Sequence, residues 1–205
     1  MVTVAFALYV VFALLAFGWR AWLQLKRTGD YGFRGFSGPL FSRAGVAVCL
    51  LAAGAAAAFF APLAALQTEG TRVASLPSWL RALGLALMVF GIVLTLVAQI
   101  NMGDSWRVGV DPGETTELVT TGLFAWVRNP IYSAMLTVLL GLALVVPSLL
   151  ASIALLTVLA GLELHVRSVE EPYLLRNHPE RFRAYAGRVG RFVPGVGRIA
   201  QGVAD

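Results

Sequence analysis

The sequence has only one cysteine and two histidines among its 205 residues. Cys49 cannot form an intramolecular disulfide, and its apolar surroundings favour a small buried hydrophobe. Neither His165 nor His178 has a second histidine or a cysteine at the spacing of metal ligands, so no metal site is expected. Motifs for a nucleophile elbow or a phosphate-binding glycine loop are also absent. These absences exclude a disulfide-stabilised fold and leave metal-dependent chemistry without a supporting motif.

Charged residues are scarce, at 13% of the chain, whereas a soluble domain typically has ~25%. Hydrophobic residues make up 58% and the mean hydropathy is +0.77, which is typical of a membrane protein. The net charge of +5 alone would suit nucleic acid. Because the basic residues stand beside apolar runs, we expect membrane lipids as partners and no nucleic acid.

Five apolar runs are present, over residues 2–25, 43–66, 79–100, 131–146 and 149–165. A helix needs ~20 apolar residues to cross a hydrocarbon core of ~30 Å. The first run is longer than the apolar part of a signal peptide and has no basic segment before it, so we expect a retained span. The sequence therefore predicts an all-α integral membrane bundle of five transmembrane helices with a cytoplasmic C-terminal helical extension.

The basic residues predict how these helices are oriented. Thirteen of the 16 lysines and arginines fall in the segment 26–43, in the segment 101–130, or after residue 166. Arg72 and Arg81 lie on the other side of the predicted bundle. Because cytoplasmic loops carry an excess of Lys and Arg, we expect the N-terminus outside and the C-terminus and active site in the cytoplasm.

We interpret residues 1–205 as one integral membrane domain, in which residues 1–100 form scaffold helices and residues 101–195 form the cofactor and catalytic region. Within the latter region, polar groups gather beside apolar helices in two stretches, residues 116–132 and 167–175. Ionisable groups at membrane depth favour a function. The two stretches therefore hold the candidate site.

Arg128-Asn129-Pro130 lies where a loop turns into a helix. Proline suits the first helical turn, and Asn129 before it is a predicted N-cap. The free amides of such a helix end can bind a carboxylate or a phosphate. Taken alone, the motif is best explained as a capped membrane helix and nothing more.

Arg167 and Glu171 are four residues apart, so they are expected to share one face of a helix. In a structural interpretation they form an exposed ion pair where the helix leaves the membrane. In a functional interpretation, Glu171 accepts a hydrogen bond from a cationic cofactor group and Arg167 holds an anionic substrate head group.

Together the two stretches resemble the isoprenylcysteine carboxyl methyltransferase family and its bacterial relatives, which include phospholipid methyltransferases. The first family element corresponds to residues 118–124 followed by 128–132. The second corresponds to Arg167, Glu170-Glu171 and Tyr185, with an ending at 191–194. This likeness covers about residues 99–195, and in it Asn129 replaces the usual His and Phe124 the usual Tyr.

The resemblance implies S-adenosylmethionine (SAM) as cofactor, with S-adenosylhomocysteine as product. It implies Arg167 and Glu171 as catalytic residues, and Arg167, Arg128 and Tyr185 as substrate-binding residues. The cofactor-binding residues that it implies are Thr116, Glu117, Leu118, Val119, Phe124, Asn129, Pro130, Ile131, Tyr132 and Glu171.

Methyl transfer from a sulfonium needs mainly alignment and exclusion of water. A carboxylate acceptor needs no general base, no well-placed histidine is evident, and Arg167 suits a carboxylate. We therefore expect O-methylation of an isoprenoid or prenylcysteine-type carboxylate. The alternatives are N-methylation of a phospholipid amine, S-methylation of a thiol, an NADPH-dependent sterol-reductase-like enzyme, and a non-enzymatic transporter or structural protein. The Ala- and Gly-rich run 43–66 permits helix pairing without specifying an oligomeric state.

Overall fold

The computed structural model describes residues 1–32, 39–67, 76–107, 109 and 117–199. Their regular structure consists of six longer helices and two short 3₁₀ helices, Gly103–Ser105 and Gly122–Ala125. The helices are α1 (Val2–Thr28), α2 (Arg43–Gln67), α3 (Ser78–Met102), α4 (Pro130–Val145), α5 (Leu149–Asn177) and α6 (Pro179–Arg188). No strand occurs among these residues. The predicted all-α class is therefore confirmed.

Four of the helices, α1, α2, α3 and α5, are long and apolar enough to cross a membrane. The fourth predicted span falls short of a full crossing: α4 has 16 residues, as many as the run 131–146, and is about 24 Å long, less than the ~30 Å of a hydrocarbon core. α5 extends well past the predicted end of its apolar run. The described part of the chain thus contains four helices of full spanning length, whereas the sequence predicted five transmembrane helices.

Local sequence explains where these helices begin. α4 begins at Pro130, whose fixed φ suits a first turn. α5 begins after Ser148, whose hydroxyl accepts a hydrogen bond from the Ala151 amide at 3.2 Å. Because only residues 146–148 separate α4 from α5, the two helices form a tight hairpin.

Two helices contain a π-helical stretch, α1 at Leu14–Trp19 and α5 at Val166–Glu170. A π turn adds a residue to the helical repeat, so residues on either side of it change face relative to a regular helix. Such turns are frequent at functional sites. The stretch in α5 lies between the two residues that were expected to share a face, Arg167 and Glu171.

The bundle is held together by close pairs of helices, α3 with α4 and α2 with α5. Gly84 and Gly141 face each other across the first pair: a Cβ on Gly141 would lie 2.4 Å from the Gly84 carbonyl oxygen. In the second pair, a Cβ on Gly54 would lie 2.5 Å from a Val158 methyl group. Small residues therefore set the helix separation, as they do in many membrane bundles.

Replacing Gly141 with alanine is expected to destabilise the protein by about 1–3 kcal/mol, because the added methyl group overlaps backbone that cannot move independently. The matched control is Gly18→Ala, since nothing lies within 4 Å of a Cβ at Gly18. Thermal unfolding of both variants in detergent tests this. Equal unfolding temperatures for the two variants would show that the helix contact is not tight.

The segment after α6 folds back onto the start of α4. The Arg128 and Asn129 amides donate to the carbonyls of Gly190 at 2.8 Å and Arg191 at 3.0 Å. The Ser133 hydroxyl donates to the Phe192 carbonyl at 2.6 Å. α6 and this segment thereby fix the position of the polar loop before α4.

Candidate active site

A cavity of about 370 Å³ opens where the polar stretches meet the bundle. It brings Asn129 on the first stretch and Glu171 on the second to one wall. The predicted site residues that line it are Glu117, Leu118, Val119, Phe124, Arg128, Asn129, Pro130, Ile131, Tyr132, Glu171 and Tyr185. Of the other two, Arg167 is not on the wall and Thr116 lies outside the described residues.

The cavity has two chemically different ends. Side chains from α1, α2, α4 and α5 form an apolar end inside the bundle: Phe12, Ala16, Leu51, Met135, Leu139, Val158 and Leu162. The loops and helix ends form the polar end, which includes Asn129, His165, Glu170 and Glu171. The cavity therefore suits a polar ligand together with a long apolar one, or a single ligand that has both a polar and a long apolar part.

Glu171 is the centre of a buried ion network. Arg128 Nη2 donates to Glu171 Oε1 at 2.8 Å, and Arg191 donates to both carboxylate oxygens, at 2.8 and 3.1 Å. All three residues are buried. Arg191 also donates to Glu163. Burial alone would lower the pKa of Arg191, but the hydrogen bonds to Glu171 and Glu163 and the charges of these carboxylates together outweigh it and raise the pKa, so Arg191 stays charged.

Arg128 is held by the backbone as well as by Glu171. Its guanidinium donates to the carbonyl oxygens of Ala186 at 3.1 Å, Val189 at 2.6 Å and Gly197 at 3.0 Å. Substrate binding by Arg128, which the resemblance implied, would have to compete with these bonds. The geometry instead favours a role in fixing the C-terminal segment against α4.

Arg167 lies apart from the cavity. Its side chain is 62% exposed and pairs with Glu163, one turn earlier, at 2.6 Å. The expected common face of Arg167 and Glu171 is wrong, because the π turn at Val166–Glu170 interrupts the regular repeat between them. Glu171 turns into the core, while Arg167 points towards solvent or head groups.

Asn129 occupies the N-cap position, as predicted, but its side chain does not cap the helix within the described residues. It donates instead to the Arg191 carbonyl at 3.4 Å. The first-turn amides of Ile131 and Tyr132 have no intrahelical acceptor, and both residues line the cavity. An anion could bind there without displacing a cap.

The loop before α4 depends on a glycine. Gly122 has a φ of +60°, and a Cβ there would lie 2.3 Å from Asn101 Oδ1. The same oxygen accepts from the Leu123 amide at 3.0 Å. Further along, the Tyr185 hydroxyl donates to the Phe124 carbonyl at 2.6 Å, and burial raises the pKa of Tyr185 to about 12 although Arg128 lowers it. These contacts place Phe124 on the cavity wall.

Three groups were not singled out by the sequence as parts of this site. Arg191 appeared only in the family ending, without a partner. Gln99 is 2% exposed, lines the cavity and donates to the Ala16 carbonyl at 2.7 Å within the π stretch of α1. His165 faces the cavity, although no well-placed histidine was expected. The sequence does contain a signal for Gln99, because a polar amide side chain within an apolar run indicates a functional position.

A helical bundle of membrane-spanning length with an amphipathic cavity at one end is typical of an integral membrane enzyme that acts on lipophilic molecules. A family model for phospholipid methyltransferases matches residues 79–181, half of the chain. The chain belongs to the phospholipid methyltransferase family. The predicted family resemblance is therefore confirmed.

Two curated relatives are similar over a shorter segment. They are the protein-S-isoprenylcysteine O-methyltransferases of Rattus norvegicus and Mus musculus, each 39% identical over 57 residues. The match covers 27% of this chain and 20% of each relative. The aligned part of the chain thus spans one fifth of the length of these relatives.

Proposed function

We propose that this protein transfers a methyl group from SAM to a lipophilic acceptor at one membrane face. The observation that supports the proposal is one cavity that is lined by nine of the ten residues expected to bind the cofactor, all except Thr116, and whose apolar end lies inside the bundle. Polar and apolar substrates can meet there without the lipid chain leaving an apolar environment. The family match supports this reaction over the sterol-reductase-like and non-enzymatic alternatives.

The residues present fit SAM. The cavity volume of about 370 Å³ falls within the ~300–1,000 Å³ of ligand sites. The first-turn amides of α4 suit its carboxylate, Phe124 offers a stacking surface, and Glu117 offers an acceptor for its amino group. When bound, SAM supplies a methyl group on an already activated sulfur. Glu171 is committed to Arg128 and Arg191, so we assign it to positioning the site rather than to contacting the cofactor.

The protein's contribution to such a transfer is alignment and exclusion of water. The Glu171 network joins α5, the loop before α4 and the C-terminal segment, so it fixes the walls of the polar end relative to one another. The apolar end then determines how far the acceptor enters. Rate and acceptor preference are therefore controlled by different parts of the cavity.

Two acceptor classes are supported by different observations. A prenylcysteine-type carboxylate, our expectation from the sequence, is supported by the likeness to the two mammalian O-methyltransferases. A phospholipid amine is supported by the family match. The structure removes both residue-level reasons for preferring the carboxylate, since Arg167 lies away from the cavity and His165 lies on its wall.

We further propose that the chain crosses the membrane five times with the N-terminus outside. The short helix α4 is then the fourth crossing in chain order. The distribution of basic residues supports this orientation. A short α4 fits the proposal, because its start would lie below the membrane surface beside the polar end of the cavity. The active site would then face the cytoplasm at the depth of the inner leaflet.

Titration calorimetry of the purified full chain with SAM and with NADPH tests the reaction class. We expect saturable binding of SAM and none of NADPH. Incubation with methyl-labelled SAM and a lipid extract, followed by mass spectrometry of the labelled product, identifies the acceptor. Absence of SAM binding by folded protein would reject the proposed function.

A further inference from the structure

Three polar side chains form a continuous chain on the cavity wall. The Tyr132 hydroxyl of α4 donates to Glu170 Oε1 of α5, and His165 Nε2 lies 3.4 Å from the same oxygen. All three residues line the cavity. The side chains of His165 and Glu170 are 3% and 21% exposed, so Glu170 is the more accessible of the two.

Glu170 differs from its neighbour Glu171 in its partners. Glu171 is neutralised by Arg128 and Arg191, whereas the partners recorded for Glu170 among the described residues are a phenol and an imidazole. The other charged side chains on the wall are Arg107, whose guanidinium lies 5.0 Å from the Tyr173 ring centre, and Glu117. The Glu170–His165 pair therefore places an imidazole and a carboxylate, both of which can accept a proton, side by side on the cavity wall.

We propose that Glu170 and His165 accept the proton that the methyl acceptor loses at its reacting atom, while Tyr132 positions the Glu170 carboxylate. This inference rests on the proposed methyl transfer. It predicts an acceptor that carries such a proton, a lipid ammonium, rather than a carboxylate that is already ionised.

The step balances with the groups present. One N–H proton of the ammonium passes to the Glu170–His165 pair, and the nitrogen keeps the electron pair. That nitrogen attacks the methyl carbon, so a C–N bond forms as the C–S bond breaks, and the bonding electrons return to sulfur. The pair then releases its proton to water at the polar end of the cavity.

The test uses the full chain in phosphatidylcholine vesicles with two matched probes, oleylamine and oleic acid, which share one chain and differ in the head group. We expect methylation of oleylamine in the wild type. Glu170→Gln should reduce this rate roughly 10²- to 10⁴-fold at pH 7. The deficit should shrink towards about pH 9.5, where more of the amine is already neutral. A merely structural role would not change the pH profile.

Two further readouts do not depend on turnover. Glu170→Gln should weaken oleylamine binding in the absence of SAM, followed through the fluorescence of Trp106 on the cavity wall, because the ammonium loses its carboxylate partner. SAM affinity should stay within about three-fold of the wild type. Glu180→Gln is the charge-matched control, since Glu180 is exposed on α6. His165→Gln is the second variant should Glu170→Gln fail to fold.

Parallel pH profiles for the wild type and both variants would overturn the inference. So would methylation of oleic acid alone, or no methylation of either probe by protein that binds SAM. In each of these cases the wild-type protein still binds SAM. If the proposed function itself is wrong, the wild-type protein does not bind SAM, so the two failures can be distinguished.

Discussion

Replacing Glu171 with alanine is expected to lower the free energy of unfolding by about 3–5 kcal/mol and to slow methyl transfer roughly 100-fold. Arg128 and Arg191 would be left as buried charges without their carboxylate. A buried charge that loses its partner is costly, because the interior cannot hydrate it. The C-terminal segment and the start of α4 would then lose their common anchor, and the polar end of the cavity would lose its shape.

Arg167→Ala is the matched control for this experiment. The Arg167–Glu163 pair is largely exposed, and such pairs contribute at most about 1 kcal/mol. Thermal unfolding and SAM titration of both variants provide the measurements. If Glu171→Ala and Arg167→Ala had the same unfolding temperature and the same affinity for SAM, the ion network would not organise the site. A selective loss of activity in Arg167→Ala would instead restore the substrate role that the sequence implied for it.

Replacing Leu139 with tryptophan is expected to weaken acceptor binding roughly 200-fold while SAM affinity changes little. Leu139 is 5% exposed and lines the apolar end, so a larger ring there occupies the space of an acyl or prenyl chain. Excluding about four methylene groups, at ~0.8 kcal/mol each, accounts for this factor. The KM for a lipid acceptor and the dissociation constant for SAM separate the two effects.

The neighbouring residue provides a matched control. Leu140 is 44% exposed on the other face of α4, so Leu140→Trp adds the same volume outside the cavity. We expect near wild-type kinetics for this variant. An equal loss in both variants would mean that the substitution acts through the stability of α4. Weakened SAM binding in Leu139→Trp would place the cofactor, rather than the acceptor, at the apolar end.

Hydropathy predicted the positions of the membrane helices closely. The free energy of placing a segment in lipid depends on the residues of that segment alone, so it can be read from the local sequence. The runs 2–25, 43–66 and 79–100 lie within α1, α2 and α3. The run 131–146 was assigned a full span although it has only 16 residues, and α4 has the same length. The contact between the C-terminal segment and the loop before α4 is not reported by any local pattern.

The sequence indicated which residues belong to the candidate site better than it indicated which of their side chains contact one another. The segments 117–119 and 128–132, together with Phe124 and Glu171, line one cavity. The pairing of Arg167 with Glu171 was wrong, because helical spacing assumes a regular repeat and a π turn intervenes. Arg191 is separated from Glu171 by 20 positions, and its role becomes visible only when the chain has folded back.

By itself, the amino-acid order determined the helical membrane class, the family and the two motif stretches, since apolar length and motif spacing are properties of continuous segments. The tertiary structure alone decided which guanidinium meets which carboxylate, which helix face closes the cavity, and that His165 joins Glu170 on its wall. The physical reason is that burial and ion pairing depend on distances between segments far apart in the chain. Helix packing and the C-terminal fold-back set those distances.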